Sequence, residues 1–112
     1  MQIVNFKHHG SWEAVKAAHP NAVYVGRASH GLPQSPLANP YSIRQAGSRE
    51  NAIELYRSWL WLQIRHKNPR ILNTLRDLQE DTVLVCWCHP LPCHAEIIAC
   101  AWQFLRNQLI SP

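Results

Sequence analysis

The segment Cys86-Trp87-Cys88-His89-Pro90-Leu91-Pro92-Cys93-His94-Ala95-Glu96 gathers three thiols, two imidazoles and a carboxylate into eleven residues. Three chemistries compete for it. Cys86, Cys88, Cys93 and His94 match zinc in number and softness. The C-x-C-x4-C-H spacing is not a usual knuckle, however, and adjacent side chains on a helix diverge by about 100°. A thiolate is the second reading, because a cysteine at a helix N-terminus is stabilised as an anion by the free amides and the helix dipole. Cys88 and Cys93 both sit where that applies. The third reading is structural: cysteines are among the most buried residues, and Pro92 suits a first helical position. His94 then shares a side with Ile98, Ala101 and Leu105.

Strand–Cys–loop–helix is similar to the phosphate loop of cysteine phosphatases, but the arginine expected six positions after the cysteine is His94 here. Pro90 and Pro92 also remove two amide donors from such a loop, so a phosphatase is rejected. The His94-Ala95-Glu96 triplet follows its cysteines instead of preceding them, which excludes a zinc-deaminase pattern. Glu96 needs no role beyond favourable interaction with the helix N-terminus. No phosphate-binding Walker loop, dinucleotide fingerprint or Ser-His-Asp order is present.

The elements that must position this corner alternate between strand and helix. Gln2–Phe6 reads as a strand, and Ser11 caps a short helix carrying Trp12, Val15 and Ala18 on one side. Ala22–Arg27 is a β-branched and aromatic strand. Residues 28–47, with three prolines and two glycines, read as a long loop without regular structure, of the kind that often carries function. Ser48 caps a helix from Arg49 to about His66, with Ala52, Leu55, Tyr56, Trp59, Leu60 and Gln63 on one side. Trp61 falls on the opposite stripe between Arg57 and Arg65, so it is expected to be covered by arginine or else to mark a contact surface. Pro69 opens a helix with Ile71, Leu72, Leu75 and Leu78 inward. Thr82–Cys88 is a nearly continuous apolar run, suited to a strand buried on both faces. The last helix runs from about Pro92 to Gln108, with Ile97, Ile98, Ala101, Phe104, Leu105 and Leu109 apolar; Cys100 is expected in the core.

This order predicts an α/β chain: a small single-domain layered fold over residues 1–112, with a short parallel or mixed sheet flanked by helices. Ligands of open α/β sheets bind beyond the carboxyl ends of the strands. That places Arg27, Ser29 and His30 opposite the Cys/His corner. The chain has a net charge of +4 and eight arginines to three lysines, scattered rather than in runs. A small anionic molecule is the expected partner, with nucleic acid as the alternative. The longest apolar stretches are too short to span a bilayer, no signal peptide is evident and disulfides are not expected, all pointing to the cytoplasm.

The blocks Val23-Tyr24-Val25-Gly26-Arg27, Ala38-Asn39-Pro40-Tyr41-Ser42-Ile43, the run from Ser48 to Leu60, and Leu84 to Ile98 resemble domain-of-unknown-function family 4326 of bacteria and phages. The resemblance covers about residues 23–98. The family usually has Gly-Asn-Pro-Phe at 38–41 and Gly-Lys where this chain has Glu80-Asp81. The resemblance implies a domain unit and a motif set, and it raises Arg27, Asn39, Arg49, Cys88, Cys93 and His94 as site residues. Together these readings predict a pocket in which Arg27, Ser29, His30, Asn39 and Arg49 bind an anion such as a nucleotide or derivative. Cys88, Cys93 and His94 carry any catalysis, and no cofactor is required. The alternatives are a zinc-stabilised nucleic-acid module using Cys86, Cys88, Cys93 and His94, and an interaction module without catalysis.

Overall fold

The computed structural model describes residues 1–89 and 91–110, and their side chains as far as position 108. Three strands, β1 (Gln2–Asn5), β2 (Ala22–Tyr24) and β3 (Val83–Cys86), form one parallel sheet in the order β1-β3-β2. β3 lies between the other two, and all four of its residues are buried. Its apolar run follows from that position, since a central parallel strand has no face left for water. Alternation along β3 divides the interior. Leu84 and Cys86 face one core, and Val83 and Val85 face the other.

The larger core is covered by α3 (Arg49–Arg65), α4 (Pro69–Asp77) and α5 (His94–Ile110). Ser48 caps α3 by accepting from the Asn51 amide at 3.1 Å, and Asn68 caps α4 just ahead of Pro69. The α3 residues Ala52, Tyr56 and Leu60 are buried at a spacing of four, as one helix face requires. Ile71, Leu72, Leu75 and Leu78 point inward as expected. The smaller core lies under α1 (Trp12–Ala18), where Val15 packs with Phe6, Val4 and Val85. Ser11 caps α1 through the Ala14 amide at 3.1 Å.

Several expectations need correction. Regular pairing of β2 ends at Tyr24 rather than Arg27, although the Val25 amide still reaches Val85 O at 3.1 Å. β1 ends at Asn5, and Phe6 begins a 3-10 turn. β3 ends at Cys86, where the chain turns and Leu91 N–H bonds Cys88 O. The loop over 28–47 contains a short helix, α2 (Ile43–Ala46), built on a reciprocal Ser42/Gln45 capping box and ended by left-handed Gly47. α5 begins at His94, two residues later than Pro92 suggested. Leu55 is 41% exposed and Cys100 is exposed, because the buried faces of α3 and α5 pass beside them. Trp61 is half-buried against Phe104 of α5, edge to face at 5.1 Å, instead of beneath arginine. The readings on Pro90 and on the Leu109 side chain fall outside the described residues.

The long connection to α3 is held by a buried contact. Tyr56, fully buried, donates its hydroxyl to Leu37 O at 2.7 Å, and Leu37 is itself fully buried. Tyr56→Phe removes the donor and strands that carbonyl, so urea unfolding should show a loss of about 1–3 kcal/mol. Leu60→Ala should cost about 2–5 kcal/mol through the cavity it opens.

Candidate functional site

Beyond the carboxyl ends of β2 and β3 lies a cavity of about 520 Å³. One wall begins at Gly26. A Cβ built there would overlap the Tyr24 hydroxyl and ring, so any side chain at this position must displace Tyr24. The Tyr24 hydroxyl donates to Arg27 O at 2.5 Å and accepts from Trp87 Nε1 at 2.8 Å. His30 and Trp87 belong to this wall and cluster with Phe6 behind it, with ring centroids 4.6 to 5.6 Å apart. His30 has a left-handed backbone, φ 50°, and its Nδ1 is hydrogen-bonded to Ser29 Oγ at 2.7 Å.

The opposite wall comes from the long connection and from α3. Arg27 donates from Nε and Nη2 to Asn39 O at 3.1 and 2.9 Å. The Asn39 side chain is committed on both sides: Nδ2 donates to Ala52 O at 3.2 Å, and Oδ1 accepts from Tyr41 N–H at 2.9 Å. Asn39 therefore fixes the connection onto α3. Arg49 at the start of α3 is half-buried, and its Nη1 reaches Pro92 O at 3.4 Å. Neither Arg27 nor Arg49 pairs with a carboxylate among the described residues, and no Asp or Glu lines the cavity.

All the candidate ligand-binding residues, Arg27, Ser29, His30, Asn39 and Arg49, border this cavity, as do Cys88, Cys93 and His94. Cys86 does not. The aromatic residues Tyr24, Tyr41 and Trp87 and the apolar Ile43 and Ile53 also border it. The residue reading missed these. Tyr24, Tyr41 and Ile43 stood in blocks already singled out, and Ser42-x-x-Gln45 was a legible capping signal for α2.

His94 Nε2 lies 2.6 Å from Val25 O. A carbonyl only accepts, so Nε2 carries the proton and Nδ1 is left as the acceptor. Burial lowers the His94 pKa below its usual range, the Val25 bond opposes this, and the Arg27 charge adds to the lowering. The ring stands edge-on to Tyr56 at 5.1 Å.

Cys86 and Cys93 are both buried, with their sulfurs 3.5 Å apart and Cys93 donating. That bond, above all, lowers the Cys86 pKa to about 6 from 9.0. Burial opposes it, and the Cys88 and His89 amides and the His89 charge reinforce it. Its bond to Cys86 and burial raise the Cys93 pKa. Within the pair the negative charge is favoured on Cys86. The Cys86, Cys88, Cys93 and His94 quartet is not assembled as a metal site among the described residues. Among the described residues no group of three or more Cys, His, Asp or Glu side chains could hold a metal. Nor is any helix among them long and apolar enough to cross a membrane.

The sign of the pH dependence follows from these shifts. Cys86 and His94 both titrate below their ordinary values of 9.0 and 6.5 in the folded chain, so the unfolded chain binds more protons in those intervals. Stability should fall as pH drops from 9.0 through about 6 for Cys86 and below 6.5 for His94, while the raised Cys93 costs stability only above 9.0. The urea midpoint should be higher at about pH 8 than at about pH 5.5. His94→Gln, which keeps a donor for Val25, should shrink the acid-side decline; an unchanged slope would remove His94 from this account. Gly26→Ala should displace Tyr24 and alter the near-ultraviolet circular dichroism of the aromatic wall.

No curated protein and no solved structure gives a match to this chain. A family model does, over residues 4–103, a longer span than the blocks from 23 to 98. The chain belongs to the family described as Domain of unknown function (DUF4326).

Proposed function

We propose that the chain binds a small anionic molecule carrying a planar ring, such as a nucleotide or a derivative of one, in the cavity at the ends of β2 and β3. The observation that carries this reading is the charge of the lining: two arginines, neither ion-paired among the described residues, and no carboxylate among them. Arg49 and the free edge of Arg27 attract the anion, since guanidinium groups bind phosphate and carboxylate oxygens in pairs. Tyr24, Tyr41 and Trp87 offer apolar surface to a ring. The volume lies within the range of about 300–1,000 Å³ typical of small-molecule sites, which favours a mononucleotide-sized ligand over a polymer.

Cys88, Cys93 and His94 are the groups available for processing such a ligand. Cys88 is half-buried and borders the cavity, and His94 is held neutral with Nδ1 as its acceptor. Ser29 and His30 border the same cavity.

Calorimetric titration of AMP, ADP, GMP and UMP, with adenosine and inorganic phosphate as controls, tests the reading. At least one nucleotide should bind more tightly than either control. Arg49→Ala should weaken it by about 10- to 100-fold, the worth of a charge-assisted contact. The bound nucleotide should also slow iodoacetamide alkylation of Cys88. Absence of binding across the panel, or equal binding by Arg49→Ala, would overturn the reading.

A further inference from the structure

We propose that Cys86 and Cys93 form a reversible dithiol–disulfide couple, oxidised by a hydroperoxide that enters through the cavity. This goes beyond the ligand reading and does not depend on what the cavity binds. Cys86 ends β3, and Cys93 immediately precedes α5. The turn between them, closed by Leu91 N–H on Cys88 O at 2.8 Å, returns the chain so that the two sulfurs touch at 3.5 Å. A disulfide needs about 2.05 Å, so the sulfurs must approach by about 1.5 Å, within reach of side-chain rotation and small shifts in the turn.

The pair is selected among the cysteines. Cys100 is exposed on α5, away from the cavity, and the sulfur–sulfur hydrogen bond joins Cys86 to Cys93. Cys86 and Cys93 are only 1% and 4% exposed, but Cys93 borders the cavity and gives a water-sized oxidant its point of contact. The His89 amide, 3.4 Å from Cys86 Sγ, is a second donor holding negative charge on the pair. One proton lies between the two sulfurs, donated by Cys93, so Cys86 is placed to take it as Cys93 reacts.

The chemistry balances in two steps. Cys93 attacks hydrogen peroxide while the Cys86 thiolate takes its proton; the O–O bond breaks, and Cys93 sulfenic acid, the Cys86 thiol and hydroxide form. The Cys86 thiol then attacks that sulfur: its proton and the departing hydroxyl leave as water, and the S–S bond closes. Two electrons pass from the sulfurs to the peroxide. A dithiol reductant reverses the change by exchange. The oxidised form joins the end of β3 covalently to the start of α5 and removes the Cys93 thiol from the cavity.

The test uses the full reduced chain, exposed to hydrogen peroxide at neutral pH and then alkylated with N-ethylmaleimide. Alkylatable thiols should drop from four to two, with the loss of two hydrogens in the intact mass, and dithiothreitol should restore all four. Chymotryptic cleavage after Trp87 separates Cys86 from Cys88 and Cys93, so the two peptides should remain joined until reduced. The linkage should persist in Cys88→Ala and vanish in Cys93→Ala. Tandem mass spectrometry of the joined wild-type peptides assigns the bond even if Cys93→Ala folds poorly. A bond from Cys86 to Cys88, oxidation ending in single-cysteine sulfinate, or four thiols surviving peroxide would each overturn the proposal.

Discussion

The double burial of β3 is the constraint on which the rest depends. A strand with parallel neighbours on both edges and helices on both faces must be apolar throughout, and Val83-Leu84-Val85-Cys86 is. Because β3 is fixed on four sides, the point where it stops is fixed as well. The residues that follow, from Trp87 to His94, leave the sheet at a defined place. Side chains two positions apart on β3 enter the same core, so Cys86 faces α3 and α5 while Val85 and then Trp87 face the Phe6 side. The chemistry-bearing corner inherits its precision from a strand of four residues.

The cavity is held open from the other side by side chains bonded to backbone carbonyls. Tyr56 holds Leu37 O, Asn39 holds Ala52 O, Arg27 holds Asn39 O and His94 holds Val25 O. Each joins segments far apart in sequence or a loop to a helix, so a connection with little regular structure has a defined path. Several residues in the recognisable blocks are thereby occupied as struts. Asn39 is the clearest case, with both polar ends of its side chain committed. Arg49 differs: a single long contact to Pro92 O leaves most of its donors free.

The layered α/β arrangement was legible from the alternation of apolar strands with capped helices, and the caps at Ser11, Ser48 and Asn68–Pro69 fell where side-chain chemistry puts them. The ends of strands were less legible, because Val25 keeps one bond to Val85 O and enters the core while Gly26 and Arg27 leave the ladder to border the cavity. Leu55 and Cys100 show a second limit. Helical periodicity describes a face about 100° wide without saying which edge of it meets a neighbour. The site was legible as a location and less so as a set of roles. The Cys86–Cys93 contact depends on how the turn returns the chain, and the burial of His94 against Val25 depends on β2 lying beside β3. Neither can be read from spacing.

The strand order has a consequence for how the fold comes into being. β1 and β2 never touch each other; each pairs only with β3, and the first rung joins Gln2 to Val83. No ladder can therefore form while the chain emerging from a ribosome is shorter than about eighty residues, and the loop-closure entropy must be overcome before any strand pairing offsets it. Until then α1, α3 and α4 have only one another to shelter their apolar faces. The arrival of β3 completes the sheet and α5 behind it closes the larger core, making the last third of the chain the keystone of assembly.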